Sequence, residues 1–384
     1  MSTVWAELPA LSTVWAELPA LSTVWAELPA LSTVWAELPA LSTGIARFAA
    51  SWPEVAEHGI MSGDLSDSCR LLLATQAGVV ARWQAPSVGL ETAVIDARLR
   101  RSRWQPLYRG VYAAFTGQPS RECLLWGAVL RAGPCAALSY HTAAELDGLT
   151  DVRASAIHVT VLPEREVTVS GRERRAGAPR IVVHQSARLA VARHPVRVPP
   201  RTRVEETVLD LALASARFDE ALFWPVAACA RRRTTPEALR RAMQERPRVR
   251  WRAALTGALD DIGGGVHSVL EYRYVHGVER PHGLPAASRQ AQRPRGSQSQ
   301  YLDNLYEECG VAVELDGRAA HRAEDRWQDA HRDNFFARVG IVTLRYGWAD
   351  VTEHPCRMAA EIGQVLREHG WTGTLSRCGP ACGR

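Results

Sequence analysis

Lysine is absent from this chain. All 46 residues of the Lys+Arg count are arginine, so chemistry that depends on a lysine amine is excluded. Also lacking is an apolar run of about 18 residues, the length that a membrane-spanning helix needs, so no transmembrane helix is expected. The 8 cysteines, Cys69 to Cys382, contain no paired CxxC framework. With no secretory leader legible, they read as reduced thiols of a cytoplasmic protein. Cys378 and Cys382 form a lone CxxxC. A zinc site needs two further ligands and none lies near in sequence, so no zinc site is expected there.

What is present suits a folded multidomain protein. The chain has 384 residues, 46% of them apolar and 23% charged, enough for two or three domains. The net charge of +5 is modest, but arginine clusters at 98–109, 172–203 and 231–252. Such patches suit a polyanionic partner, and the alternative is a set of solvated helix faces. Uniform arginine usage fits a GC-rich coding sequence. Arginine content alone is therefore not read as nucleic-acid binding.

Residues 2–41 are four identical copies of STVWAELPAL. The proline of each copy stops a helix from running through, and ten residues are too few for a solenoid unit. Residues 1–67 are expected to be a disordered array and linker. A second expectation is that Met61 is the true start; a native peptide covering Trp5 to Glu37 in a mass spectrum rules that out.

Residues 68–118 read as helix, turn, short helix, turn, helix and hairpin. Leu71, Leu72 and Leu73 sit in the first helix, and Gly78 breaks it. Pro86 shortens the second. Ala93, Val94, Ala97 and Leu99 form the stripe of the third. The segment WQPLYRGVYA gives two strands about Arg109 and Gly110. This is the layout of a winged helix-turn-helix. Arg98, Arg100, Arg101, Arg103 and Arg109 are its candidate nucleic-acid-binding residues. The alternative is a small three-helix fold that uses them for solubility.

Residues 119–257 read as a mixed α/β middle domain. Helices are expected over RECLLWGAVLRAG and ALSYHTAAELDGL, strands over 157–163 and 179–186, and a further helix from Val204 to Ala214. His141, His158 and His184 are too scattered in sequence to be claimed as a metal site and are expected to be partly buried.

Residues 258–372 alternate between helix and strand, which indicates a mixed sheet flanked by helices. Glu271 lies on a helix, Asp303 on a strand, and Glu314 and Asp316 on the next. Side chains on one face of adjacent strands approach within about 5 Å, so Asp303 and Glu314 are expected to meet, with Glu271 completing an oxygen cage. Three carboxylates on a small site cannot all stay ionised without a cation. Mg²⁺, or Mn²⁺, is the expected occupant, because it takes hard oxygen ligands and retains water. Asp329, Arg332 and Asp333 line one helical face, where an ion-pair network is expected rather than a second metal site. Trp327, Phe335 and Phe336 are expected in the core. Residues 373–384 are expected to be a flexible tail.

The order of these acids resembles the PD-(D/E)XK nuclease superfamily. More narrowly, SVLE, QYLDNLYEE, VELDG, DGRAAH and DAHRDNFFARVGIVTLRYGW are similar to endonuclease-like domains related to very-short-patch mismatch repair nucleases. In actinobacterial proteins of that kind such a domain often follows a winged helix like that of the AbiEi abortive-infection antitoxins. LLATQAG, RWQPLYRGVYA, LSYHTAAELDGL and PRTRVEETVLDLA resemble that region. The likeness implies a restriction-endonuclease-like fold with Asp303, Glu314 and Glu271 as metal ligands. The superfamily's lysine would fall at Asp316. Asp316 could orient or deprotonate water there, His321 could serve as base or leaving-group acid, Gln290 could position a phosphate or water, and Arg318 could supply the missing cation. The implied function is Mg²⁺-dependent cleavage of DNA. The alternative is a DNA-binding regulator of the antitoxin type, with a toxin partner and the nuclease-like fold kept as a scaffold.

Overall fold

A serine starts the first helix. Ser66 is extended, and its hydroxyl accepts from the Cys69 N–H, capping helix α1 (Asp67–Thr75). The computed structural model describes residues 65–167, 177–295, 298–316, 331–332, 334–380 and 382–383. The ten-residue repeats, Met61, Arg318, His321, Trp327, Asp329 and Asp333 lie outside the described residues.

After α1 the chain turns at Gly78, which has φ 76°, into strand β1 (Val79–Ala81). A 3-10 turn over Ala85–Val88 comes next. Pro86 sits in its first turn, where a missing N–H costs nothing. Helix α2 (Thr92–Arg100) leads to the hairpin β2 (Gln105–Tyr108) and β3 (Val111–Ala113). These strands form a sheet in the order β1-β3-β2. Ile95, outside the expected stripe, is the apolar residue that α2 buries most fully.

Helix α3 (Arg121–Ala132) is capped by Ser120 and almost wholly buried. The expected helix over ALSYHTAAELDGL is shorter than its sequence suggests. Ala137 and Leu138 form strand β4 instead, and helix α4 covers Tyr140–Leu146. Strand β5 (Ile157–Val161) pairs antiparallel with β4 and parallel with β6 (Ile181–Gln185). One apolar cluster joins Val79, Leu107, Tyr108 and Val111 to Trp126, Val129, Ile157 and Ile181. The core thus runs across residue 118 without a break.

A short helix α5 (Leu189–Ala192) precedes four helices: α6 (Val204–Ala214), α7 (Phe218–Ala230), α8 (Pro236–Gln244) and α9 (Arg252–Gly263). They pack round Leu209, Leu222, Leu239, Met243 and Leu259. Most arginines of 231–252 are exposed, as solvated helix faces would be, and several are held in ion pairs. Arg246 is buried against Glu206 and Asp210, Arg231 pairs with Asp151 at 2.7 Å, and Arg240 pairs with Asp260 at 2.5 Å.

Helix α10 (Val269–Tyr274) continues into a π-helical turn over Val275–Glu279. Strands β7 (Ser288–Arg295), β8 (Gln298–Tyr306), β9 (Val311–Asp316) and β10 (Val342–Gly347) form a sheet in the order β10-β9-β8-β7. Helices α11 (Trp348–Thr352) and α12 (Pro355–Glu368) close the fold. One face of this sheet packs Tyr306, Val311 and Val313 against Leu270, Tyr274, Met358 and Ile362. A second cluster joins Leu302, Leu305 and Ala312 to Phe336. Gly310 has φ 60°, and a Cβ there would meet the Gly340 carbonyl oxygen at 2.7 Å. The Val342 N–H donates to the Gly310 carbonyl at 2.9 Å, aligning β10 parallel with β9. The architecture is mixed α/β, with small sheets among helices. No helix among the described residues is long and apolar enough to cross a membrane.

Candidate functional site

Strand register brings the acids of the last sheet together. Arg289 pairs with Asn304 and Ala291 with Leu302, which sets Gln290 opposite Asp303. The last β8–β9 pair is Asn304 with Val313, so Asp303 stands where this ladder ends. There the Asp303 side chain takes over a backbone role: its Oδ2 accepts from the Leu315 N–H at 3.0 Å. Glu314 is the next residue of β9 beyond that pair.

Glu271 is placed by its helix. The Ser268 hydroxyl caps α10 by accepting from the Glu271 N–H at 3.0 Å. Glu271 Oε2 in turn accepts from the His267 N–H at 2.9 Å. Gln290 connects the two acids. Its amide nitrogen lies 3.3 Å from Asp303 Oδ1 and 3.5 Å from Glu271 Oε2. Gln290 has φ 47°, a left-handed backbone that costs a non-glycine residue about 1–2 kcal/mol.

The electrostatics single out Glu314. Burial pushes its carboxyl up, the neighbouring Asp303 charge adds to that, and Arg332 pulls back; the result is about 7. Arg332 donates to Glu314 Oε2 at 3.0 Å, while Oε1 is buried without a hydrogen-bond partner among the described residues. Burial likewise raises the Glu271 carboxyl, opposed by the His267 N–H and reinforced by Asp303. Asp303 is therefore the shared neighbour of the other two acids. The arrangement is a row, Glu271, Gln290, Asp303, Glu314, Arg332. Among the described residues the three carboxylates do not form a group with all ligand oxygens within 4.8 Å.

Asp316 ends β9 beside Gly347 of β10, two residues from Glu314, so strand alternation gives both the same face. Arg345 pairs with Glu314 across β9 and β10 and lowers its carboxyl further. Among the described residues, Arg332 and Arg345 are thus the cations that act on Glu314. Sequence reasoning passes over Arg345 as a role-bearing residue; its one signal is a charge inside the otherwise apolar VTLRYG. Arg332 pairs with Glu314 of β9, whereas Asp329 and Asp333, the other members of the expected ion-pair network, lie outside the described residues.

A second set of residues, missed from the sequence, braces the row from below. Glu279 is buried and pairs with Arg289, which also donates to Asn304 Oδ1. Asn304 Nδ2 donates to the Val313 carbonyl at 3.1 Å. The Tyr274 and Tyr306 hydroxyls lie 2.6 Å apart, and Tyr306 donates to Glu279 at 3.4 Å. The sequence signal is Asn304, a polar residue two before the core residue Tyr306 and therefore on the same buried face of β8.

The arginines of α2, the turn after it and the β2–β3 turn divide into two kinds. Arg98 is 8% exposed, with its guanidinium 5.5 Å from the Trp104 ring centre. It is turned into the fold and cannot face a nucleic acid as expected. The reason is helical geometry: Arg98 lies three residues after Ile95 and shares its inward face. Arg100, Arg101, Arg103 and Arg109 are exposed.

His141, His158 and His184 of the middle region meet in the fold; His158 and His184 are partly buried as expected, whereas His141 is exposed. His158 Nδ1 and His184 Nε2 lie 3.0 Å apart, Tyr140 stacks on His184 at 3.8 Å, and His141 meets the His158 ring edge-on at 5.5 Å. Parallel register places Thr160 beside His184 and His158 beside Val182, which makes the two histidines diagonal neighbours. Burial, then His184, His141 and Arg180, push His158 down to about 4.

The CxxxC also departs from expectation. His282 and Cys356, distant in sequence, lie beside Cys378 and Cys382. The fold returns the last residues to the start of α12, which spacing along the chain does not reveal.

No family model matches this chain, and no curated protein matches it.

Proposed function

We propose that the last sheet is a Mg²⁺-dependent phosphodiesterase site of the restriction-endonuclease-like, very-short-patch-repair-related kind, and that DNA is its substrate. The observation that carries this reading is the row centred on Asp303. Two buried acids flank one aspartate where the β8–β9 ladder ends, and Glu314 keeps a buried oxygen without a partner among the described residues. Excess negative charge with an unsatisfied acceptor is a donor set that a hard divalent cation fits. Asp303 and Glu314 would hold the ion, with Glu271 closing on it. When bound, Mg²⁺ neutralises phosphodiester charge and makes a bound water more acidic. Gln290 orients a phosphate oxygen or water. Arg332 and Arg345 supply the positive charge that a lysine would otherwise bring, and Asp316 can accept a proton beside them. In this reading the β1-β3-β2 sheet with α1 and α2 is a winged helix-turn-helix. Its exposed Arg100, Arg101, Arg103 and Arg109 contact phosphates and position the nuclease.

A second reading has its own support. Glu314 already has a protein cation, and the three carboxylates do not close into one cage among the described residues. This favours a DNA-binding regulator of the antitoxin type with a toxin partner. Supercoiled and single-stranded DNA incubated with the full chain and Mg²⁺ or Mn²⁺ separates the two. Nicking or cutting by wild type, reduced about 10²-fold or more in Asp303→Ala and Glu314→Ala, is expected. Metal-independent DNA binding with no cutting, unchanged in both variants, supports the regulator instead.

A further inference from the structure

Residues 371–378 are seated on the body of the last domain, although 371–377 contain no helix or strand. Two glycines make room for them. A Cβ at Gly363 of α12 would lie 2.7 Å from Leu375 Cδ1, and one at Gly283, with φ 67°, would lie 2.9 Å from Ser376 Oγ. The Ser376 N–H donates to the His282 carbonyl at 2.8 Å. This seat carries Cys378 and Cys382 to Cys356, the second residue of α12. Cys356 Sγ lies 3.6 Å from Cys378 Sγ and 3.8 Å from Cys382 Sγ.

His282 completes the set. It is fully buried, at 0% exposure. Its Nδ1 lies 2.8 Å from the Val278 carbonyl. A carbonyl can only accept, so Nδ1 carries the proton and Nε2 presents a lone pair. That Nε2 is buried and has no hydrogen-bond partner among the described residues. A buried acceptor left unsatisfied costs about 1–3 kcal/mol. The four donor atoms, three sulfurs and one imidazole nitrogen, all lie within 4.8 Å of one another.

We propose that His282, Cys356, Cys378 and Cys382 form a structural zinc site that fastens the C-terminal segment to the turn after the π-helical segment and to the start of α12. Zinc bonded at about 2.3 Å to sulfur in a tetrahedron separates its sulfurs by about 3.8 Å, close to the two distances here. A soft, closed set of three thiolates and one imidazole selects zinc over the hard cation of the acidic row. The Nδ1–H bond to Val278 fixes the tautomer in which Nε2 ligates. Binding converts three thiols to thiolates and releases their protons to solvent, and the ion with its four ligands carries one net negative charge. The four protein donors fill its coordination, so the site is structural and not catalytic.

The test uses the full chain, produced without a polyhistidine tag in zinc-supplemented medium and purified without chelator. Elemental analysis is expected to give about one zinc per chain. Replacement by Co²⁺ is expected to give tetrahedral ligand-field bands together with thiolate charge-transfer absorption. Cys378→Ser and Cys382→Ser are each expected to remove the zinc and the charge-transfer band, whereas Cys135→Ser, at an exposed site elsewhere, keeps both. The wild-type metal content and cobalt spectrum decide the matter even if a variant fails to fold. Wild-type protein with zinc far below stoichiometric, a six-coordinate cobalt spectrum, iron or copper in place of zinc, or a native Cys356–Cys378 disulfide overturns the proposal.

Discussion

Glu314 makes the clearest demand on a single residue. Its carboxyl titrates near 7 in the folded chain, against an ordinary value of 4.5. The folded state therefore holds an extra proton between those values. That contribution to stability is complete below about 4.5 and is lost as pH rises through about 7. A glutamine at this position imitates the protonated acid at every pH. In metal-free buffer Glu314→Gln should match wild type near pH 4.5 and exceed its stability by up to about 3 kcal/mol at pH 8. Denaturant melts at both pH values measure this, and parallel stability profiles would refute it. Added Mg²⁺ should recover part of the difference in wild type alone if the acids hold the ion.

At the scale of elements, α2 and the turn after it carry two kinds of arginine that sequence alone treats as one. Arg98 packs on Trp104 inside the fold, so Arg98→Ala should cost about 1–3 kcal/mol of stability. Arg101→Ala with Arg103→Ala should leave the melting temperature nearly unchanged. Under the proposed DNA-binding reading, that pair should weaken DNA binding and flatten its dependence on salt by about two phosphate contacts. Thermal melts and binding titrations at several salt concentrations measure both effects; equal loss of stability in the two variants would sink the division. Periodicity makes the helix Val204–Ala214 and the strands of the last sheet legible, because apolar spacing and caps are local signals. Strand β1 is not legible. Val79–Ala81 is only three residues long, and its strand character comes from pairing with β3, more than thirty residues away. The acids of the candidate site are legible as residue types on adjacent strands. Their arrangement in a row is not, because it depends on where the β8–β9 ladder ends and on the unusual backbone of Gln290. Arg98 and the histidine group fail for the same reason: neither helical phase nor parallel register is fixed by composition.

For the molecule as a whole, the first sheet is not separable from α3 and the second sheet. Val79, Leu107, Tyr108 and Val111 are buried against Trp126, Val129 and Ile157. A fragment ending at residue 118 exposes that face, and each large apolar side chain uncovered forfeits about 1.5–3 kcal/mol. Such a fragment should be unfolded or aggregated, whereas one that keeps the second sheet and α3 should fold. Circular dichroism and light scattering on the two fragments check this; a monomeric, cooperatively melting short fragment would contradict the shared core. The backbone contact between Gly310 and Gly340 has a similar reach. A methyl group at position 310 has no flexible neighbour to displace, only a carbonyl oxygen. Relief must come from sliding β10 along β9, and Glu314 lies four residues, about 13 Å, along the same strand. Damage at that turn would therefore surface far from it, as a changed proton affinity at the acid, with the fold's bulk left intact.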